Sequence, residues 1–235
     1  MRKKLLIIGV ILLSGCCNKL TRVISIGDTT VRLVQENYGD GKVFVHLHAN
    51  ETTAARAARR VAGLQGGTLI TLQHAKSRDI EFNYHGRHYA FDPNRIFTHQ
   101  GIVDTLKQHN CYDYQVVPEI QRLAQQILAA IPEGKIIAVH NNKDYSLLDY
   151  ANNQPLFKDA QLIYHNPDVY YRNFFFVTQI SDFNRYKNLG FNVVLQSQQA
   201  HDDGSLSVRF KQRSYINVEA GFNQYLSQLQ MLKQA

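Results

Sequence analysis

The sequence predicts an α/β fold, a mixed sheet with helices packed on both faces. Three observations carry this expectation. Short runs of branched and aromatic residues alternate with longer runs of helix formers, several apolar runs stop abruptly at a His or Glu, and no repeat or low-complexity linker divides the chain. Val31 to Gln35 and Lys42 to His48 read as strands, with Tyr38-Gly39-Asp40-Gly41 as a turn between them. Glu51 to Leu64, rich in alanine and arginine, reads as a helix ended by Gly66-Gly67. Thr68 to Leu72 is a strand of the buried type, and Glu81 to Phe91 a hairpin turning at His85-Gly86. Helices follow at Ile102 to His109 and at Glu119 to Ile131, the second starting after Pro118. Lys135 to His140 is an apolar strand with a polar end. Phe174 to Val177 and Phe191 to Leu195 are strands around a helix from Ser181 to Leu189, and the aromatic cluster of Phe174, Phe175 and Phe176 reads as sheet core. Ser214 to Glu219 is the last strand, and an amphipathic helix runs from Asn223.

The N-terminus has a different character. Arg2, Lys3 and Lys4 precede the apolar stretch Leu5 to Leu13, which is too short to span a bilayer and is flanked like a cleaved export signal. It runs into Leu13-Ser14-Gly15-Cys16, which resembles the lipobox of bacterial lipoproteins. That resemblance implies cleavage before Cys16 and lipid on its thiol. It also implies a place in the bacterial cell envelope, anchored to a membrane and facing the periplasm or the exterior. Residues 1–15 are then signal, 16–30 a polar tether and 31–235 one domain. Cleavage takes three of the 26 basic side chains and leaves an excess of four over the 19 acidic ones. The excess is scattered and forms no basic run, so nucleic-acid binding has no support. Beyond Cys16 and Cys17 the only cysteine is Cys111, which excludes a disulfide scaffold and a Cys-rich metal site.

The chemistry-bearing residues stand where apolar strands end. His48 closes the run Val43, Phe44, Val45 and Leu47, and Glu51 falls in the first turn of the helix that follows. Three residues across a strand-to-helix turn bring an imidazole and a carboxylate to one point. Ligands of α/β folds sit at such strand ends, and this pair is a normal zinc-binding combination. Asp92-Pro93-Asn94-Arg95-Ile96-Phe97 follows the hairpin, the strand Ile136 to Val139 ends at His140-Asn141-Asn142, and the strand Tyr215 to Val218 ends at Glu219-Ala220-Gly221. His46 shares a strand face with His48 and could replace it as a ligand, but a histidine that packs in the core or supports the ligands is the favoured reading. Asp202-Asp203-Gly204 reads as a turn.

In this order, H-x-x-E, D-x-N-R-x-F, a strand ending H-N and a strand ending E-x-G, these motifs resemble the zinc carboxypeptidase superfamily. The likeness is nearest to the branch of aspartoacylase and succinylglutamate desuccinylase, and it spans about Val43 to Gly221. The resemblance implies a three-layer sandwich in which His48, Glu51 and His140 hold one Zn²⁺ ion and leave a fourth position for water. It implies Glu219 as general base and acid, and Asn94 and Arg95 as the grip on a substrate carboxylate. Arg87 is the candidate to stabilise the oxyanion, with Arg78 as the alternative.

The function expected is a membrane-anchored zinc metallohydrolase cutting an amide bond next to a carboxylate-bearing group, carboxypeptidase-type, on envelope (cell-wall) peptides. The partner is a peptide or acyl amino acid with a free carboxylate. An N-acyl amino acid deacylase, and a non-catalytic binding lipoprotein that retains the fold, are the alternatives. The sequence departs from the family pattern at Ala138, where an aspartate usually stands two residues before the third ligand. It places no substrate-covering tyrosine beyond the candidates Tyr215 and Tyr225.

Overall fold

The computed structural model describes residues 17–235, so the expected leader and the expected lipidation site at Cys16 lie outside the described residues. Eleven strands are formed among them: β1 Asn18–Ile26, β2 Thr29–Asn37, β3 Val43–His46, β4 Thr68–Gln73, β5 Ile80–Tyr84, β6 Arg87–Phe91, β7 Ile136–Asn142, β8 Ala160–Tyr164, β9 Phe174–Val177, β10 Asn192–Gln196 and β11 Tyr215–Gly221. The helices are α1 Thr52–Gln65, α2 His99–Gln108, α3 Val117–Ala130, α4 Ile180–Asn188, α5 Leu206–Arg209 and α6 Tyr225–Gln234. Nine strands make one mixed sheet in the order β1-β2-β4-β3-β7-β11-β9-β10-β8, while β5 and β6 form a separate hairpin. The α/β class expected from the sequence is therefore present, with six helices and one large mixed sheet.

The middle of the sheet positions the site. β4, β3, β7 and β11 run parallel, so their C-terminal ends lie along one edge. These strands are covered on both faces, which is why they read as nearly continuous apolar runs. On one face α1 contributes the stripe Ala54, Ala57, Ala58, Val61 and Ala62, at helical spacing, against Phe44, Ile137, Val139, Ile216 and Val218. Small side chains let α1 lie close to the sheet, beside α4 and α6. The opposite face takes α2, α3 and the β5–β6 hairpin, which bury Ile120, Leu123, Ile127, Phe82 and Phe91 against Val45, Ile70, Ala138 and Tyr215.

Three expectations need correction. Residues 18–26 are not a tether but β1, paired with β2 along its whole length. Most of β1 is exposed because it is the sheet edge, and its Lys19 and Arg22 suit that place. The turn at residues 38–41 joins β2 and β3 without making them neighbours, because β4 lies between them. β3 stops at His46, and Glu51 precedes α1 as its cap residue instead of lying in its first turn. No helix among the described residues is long and apolar enough to cross a membrane.

Candidate metal centre

The turn after β3 builds the first half of the centre. The Glu51 N–H donates to the His48 carbonyl at 3.0 Å, a tight turn that folds both side chains to the same side. His46 fixes it from behind: its Nε2 lies 3.0 Å from the Glu51 carbonyl oxygen. His46 is not a ligand. Burial lowers its pKa to about 4, so it stays neutral and serves the backbone. The second half comes from β7, whose parallel register beside β3 brings His140 to the turn.

His48, Glu51 and His140 converge, all buried. His48 Nδ1 is 2.9 Å from Glu51 Oε1, His140 Nδ1 is 3.1 Å from Glu51 Oε2, and the two Nδ1 atoms are 3.1 Å apart. Three ligand atoms around a tetrahedral zinc at 2.0–2.1 Å stand roughly 3.3 Å from one another, so the spacing fits. The donor set fits as well. His48 Nε2 lies 2.8 Å from Asp92 Oδ1 and gives its proton there, which leaves the Nδ1 lone pair facing a carboxylate and a second imidazole nitrogen. Such a cluster needs a cation at its centre, a proton or a metal ion. Without metal the proton serves: burial opposes a charged His48, but Glu51 and Asp92 outweigh it and raise the pKa to about 9. Burial pushes the carboxyls of Glu51 and Asp92 up, yet the neighbouring cations hold both well below the usual range. The described residues could thus bind one metal ion.

The neighbours of the cluster are equally fixed. Arg78 bridges its carboxylates, with Nη1 3.0 Å from Glu51 Oε1 and Nη2 3.0 Å from Asp92 Oδ2. Glu219 stands beside His140 in the parallel β7–β11 register, so their side chains share a sheet face. Its carboxylate accepts from Asn142 Nδ2 at 3.1 Å and from Asn217 Nδ2 at 3.0 Å. These groups line a cavity of about 560 Å³ that also takes in Asn94, Arg95, Tyr145, Tyr150, Tyr215 and Asp203. Burial, with Glu219 nearby, raises the pKa of all three tyrosines, so their hydroxyls stay protonated donors at neutral pH.

Arg87 is misplaced by the sequence reading. It is 64% exposed, pairs with Asp113 Oδ2 at 2.9 Å and does not line the cavity; Arg78, the alternative, does. Asn94 lines the cavity, but its Oδ1 already accepts from the Leu206 N–H at 3.3 Å. Tyr215 lines the cavity, whereas Tyr225 lies under the Arg56 guanidinium, 4.3 Å from ring centre to carbon, outside it. Ala138 is packed in the apolar core, and His140 Nε2 is buried with no hydrogen-bond partner. Asp92, Asn142, Asn217, Tyr145, Tyr150 and Asp203 had no role in the sequence reading. Asp92, Asn142 and Asn217 carried a local signal: the first lies inside the D-x-N-R motif, the second two residues after His140 and the third two before Glu219, each pair on one strand face. No family model matches the chain, and no curated protein matches it.

Proposed function

We propose that this chain is a zinc-dependent hydrolase, lipid-anchored through Cys16 in a bacterial cell envelope, that cuts an amide bond next to a carboxylate-bearing group. A carboxypeptidase-like sandwich acting on cell-wall peptides is the reading favoured by the motif order and the leader. The observation that carries it is the buried triangle of His48 Nδ1, Glu51 and His140 Nδ1, with Asp92 behind His48 and Glu219 beside His140.

His48, Glu51 and His140 would hold the zinc ion. When bound, zinc supplies Lewis acidity, polarising a carbonyl and making water acidic at neutral pH. Glu219, held by two amide donors, takes a proton from the attacking water. As water adds to the carbonyl carbon and the C–N bond breaks, Glu219 passes that proton to the departing amine. Arg78 lines the cavity, and the N–H donors it does not spend on Glu51 and Asp92 are suited to the negative charge that develops on oxygen. Arg95 offers a planar fork for the substrate carboxylate. β1 begins two residues after Cys16, so an anchored domain works at the membrane surface with no reach from a tether.

Replacing Glu219 with Gln separates this reading from a binding protein. The variant is expected to retain one zinc per chain while hydrolysis of acyl amino acids and short peptides falls by about 10²–10⁴-fold. Unchanged turnover in Glu219→Gln, or a metal-loaded wild type that cuts none of these amides, refutes it.

A further inference from the structure

Arg95 does not face the cavity as a free cation. Its Nη1 lies 2.8 Å from Asp203 Oδ2, and the two side chains are 35% and 38% exposed. Exposed pairs often form by chance, but this one is set by backbone. Asp203 Oδ1 accepts from the Ser205 N–H at 2.9 Å, and the neighbouring Asp202 Oδ1 accepts from Thr98 Oγ1 at 2.8 Å and from the Gly204 N–H at 3.0 Å. Phe97 N–H donates to the Gly204 carbonyl at 2.9 Å. Gly204, at φ +75°, lies so close that a Cβ would come within 2.3 Å of the Arg95 carbonyl oxygen and 2.6 Å of Gly101 Cα. The segment carrying Asp203 is thus clamped to the backbone that carries Arg95.

The same cavity holds acceptors with nothing to accept. Asn142 Oδ1 and Gln196 Oε1 line it, on side chains 6% and 3% exposed, without a hydrogen-bond partner. A buried acceptor left unpaired costs about 1–3 kcal/mol, so such atoms call for donors from a ligand or water.

A guanidinium already paired is a poor receptor for a lone carboxylate, because Asp203 repels it. A lone ammonium meets Arg95 in the same way. A ligand that carries both charges in contact matches the pair, carboxylate to Arg95 and ammonium to Asp203. We infer that the Arg95–Asp203 pair is the receptor for a free α-amino-carboxylate head, an ammonium and a carboxylate on one carbon. An ordinary C-terminal residue has no such head, since its α-nitrogen is in the peptide bond. A head free at both groups is joined to the rest of its molecule through its side chain. Resting on the hydrolase reading, the amide cut is therefore a side-chain amide. Where the side chain supplies the acyl group, water adds to that carbonyl, the C–N bond breaks, the side chain leaves as a carboxylate and the amine takes its proton from Glu219.

The test uses the full, zinc-loaded chain and three probes: Nε-acetyl-lysine, its Nα-acetylated form and its α-carboxamide, each as both enantiomers, with binding followed by NMR or calorimetry. One enantiomer with the free head is expected to bind at least about tenfold more tightly than either blocked analogue. Asp203→Asn should erase the preference over the Nα-acetylated form and keep that over the amide. The wild-type ranking alone decides the matter if the variant folds poorly. Equal binding of the three, binding of none, or a preference over the Nα-acetylated form that survives in Asp203→Asn overturns the inference. The two readings fail separately. A preference for the free head in a protein that takes up no zinc and cuts no amide refutes the hydrolase alone, while zinc-dependent hydrolysis without that preference refutes this receptor alone.

Discussion

The two sides of the cavity are built differently. The His48–Glu51–His140 side stands at the ends of three parallel strands: the β7–β11 register sets His140 and Glu219 on one sheet face, and the turn after β3 carries Glu51 to them with His48 buried behind. The Arg95–Asp203 side stands on loops held by side-chain caps, by one glycine contact and by a helix N-terminus. The first side is buried and rigid enough to hold a metal; the second is a third exposed and suited to discriminating between ligands. In the hydrolase we propose, reaction chemistry would belong to the sheet and selection to the loops fastened on it.

The largest effect that would sharpen this contrast lies with the two arginines. Arg78→Ala should lower kcat by about 10²–10³-fold with zinc content retained, while Arg87→Ala leaves kcat unchanged. A loss in Arg87→Ala of similar size would contradict the placement of Arg78 at the reacting carbonyl. Next is the carboxylate behind the sheet-borne ligand. Asp92→Asn should weaken zinc binding by about 10–100-fold. The pH dependence supplies a sign to check. The His48 pKa is raised from 6.5 to about 9, so its proton stabilises the metal-free fold fully below 6.5, and that contribution is lost as pH rises through about 9. Zinc must displace this proton, so apparent affinity should rise about tenfold per pH unit up to about 9. Removing the Asp92 charge should end that rise at a lower pH, as titrations of metal-free protein would show. The smallest effect belongs to the loop side. Gly204→Ala should lower stability by about 1–3 kcal/mol, read from denaturant melts, because the atoms it meets are backbone. It should disturb ligand ranking more than zinc affinity; the reverse would mean that the two sides are not independent.

Legibility followed the same division. β3, β7 and β11 were readable because buried parallel strands are apolar runs with sharp polar ends, and those ends carry His48, His140 and Glu219. Glu51 was placed one position too far into α1, which left the metal triangle unaffected. β1 was missed because an edge strand shows six exposed residues before Ile24, although Ile26-Gly27-Asp28-Thr29 carries a hairpin signal. Arg87 was preferred to Arg78 because sequence distance says nothing of where an irregular segment folds. Residues 74–79 bring Arg78 back to Glu51 through contacts with no local periodicity. Asp203 read as a turn, and it is one; its pairing with Arg95 spans more than a hundred residues and leaves no trace in spacing.

The central claim is that the buried triangle is a zinc site, and its most direct test is zinc stoichiometry with the position of the ion fixed by anomalous X-ray scattering. The account predicts one zinc per chain, bonded to His48 Nδ1, Glu51 and His140 Nδ1 at about 2.0–2.2 Å, and lost in His140→Ala. A wild-type chain that takes up no zinc, or holds it elsewhere with these three side chains still in mutual contact, would contradict it.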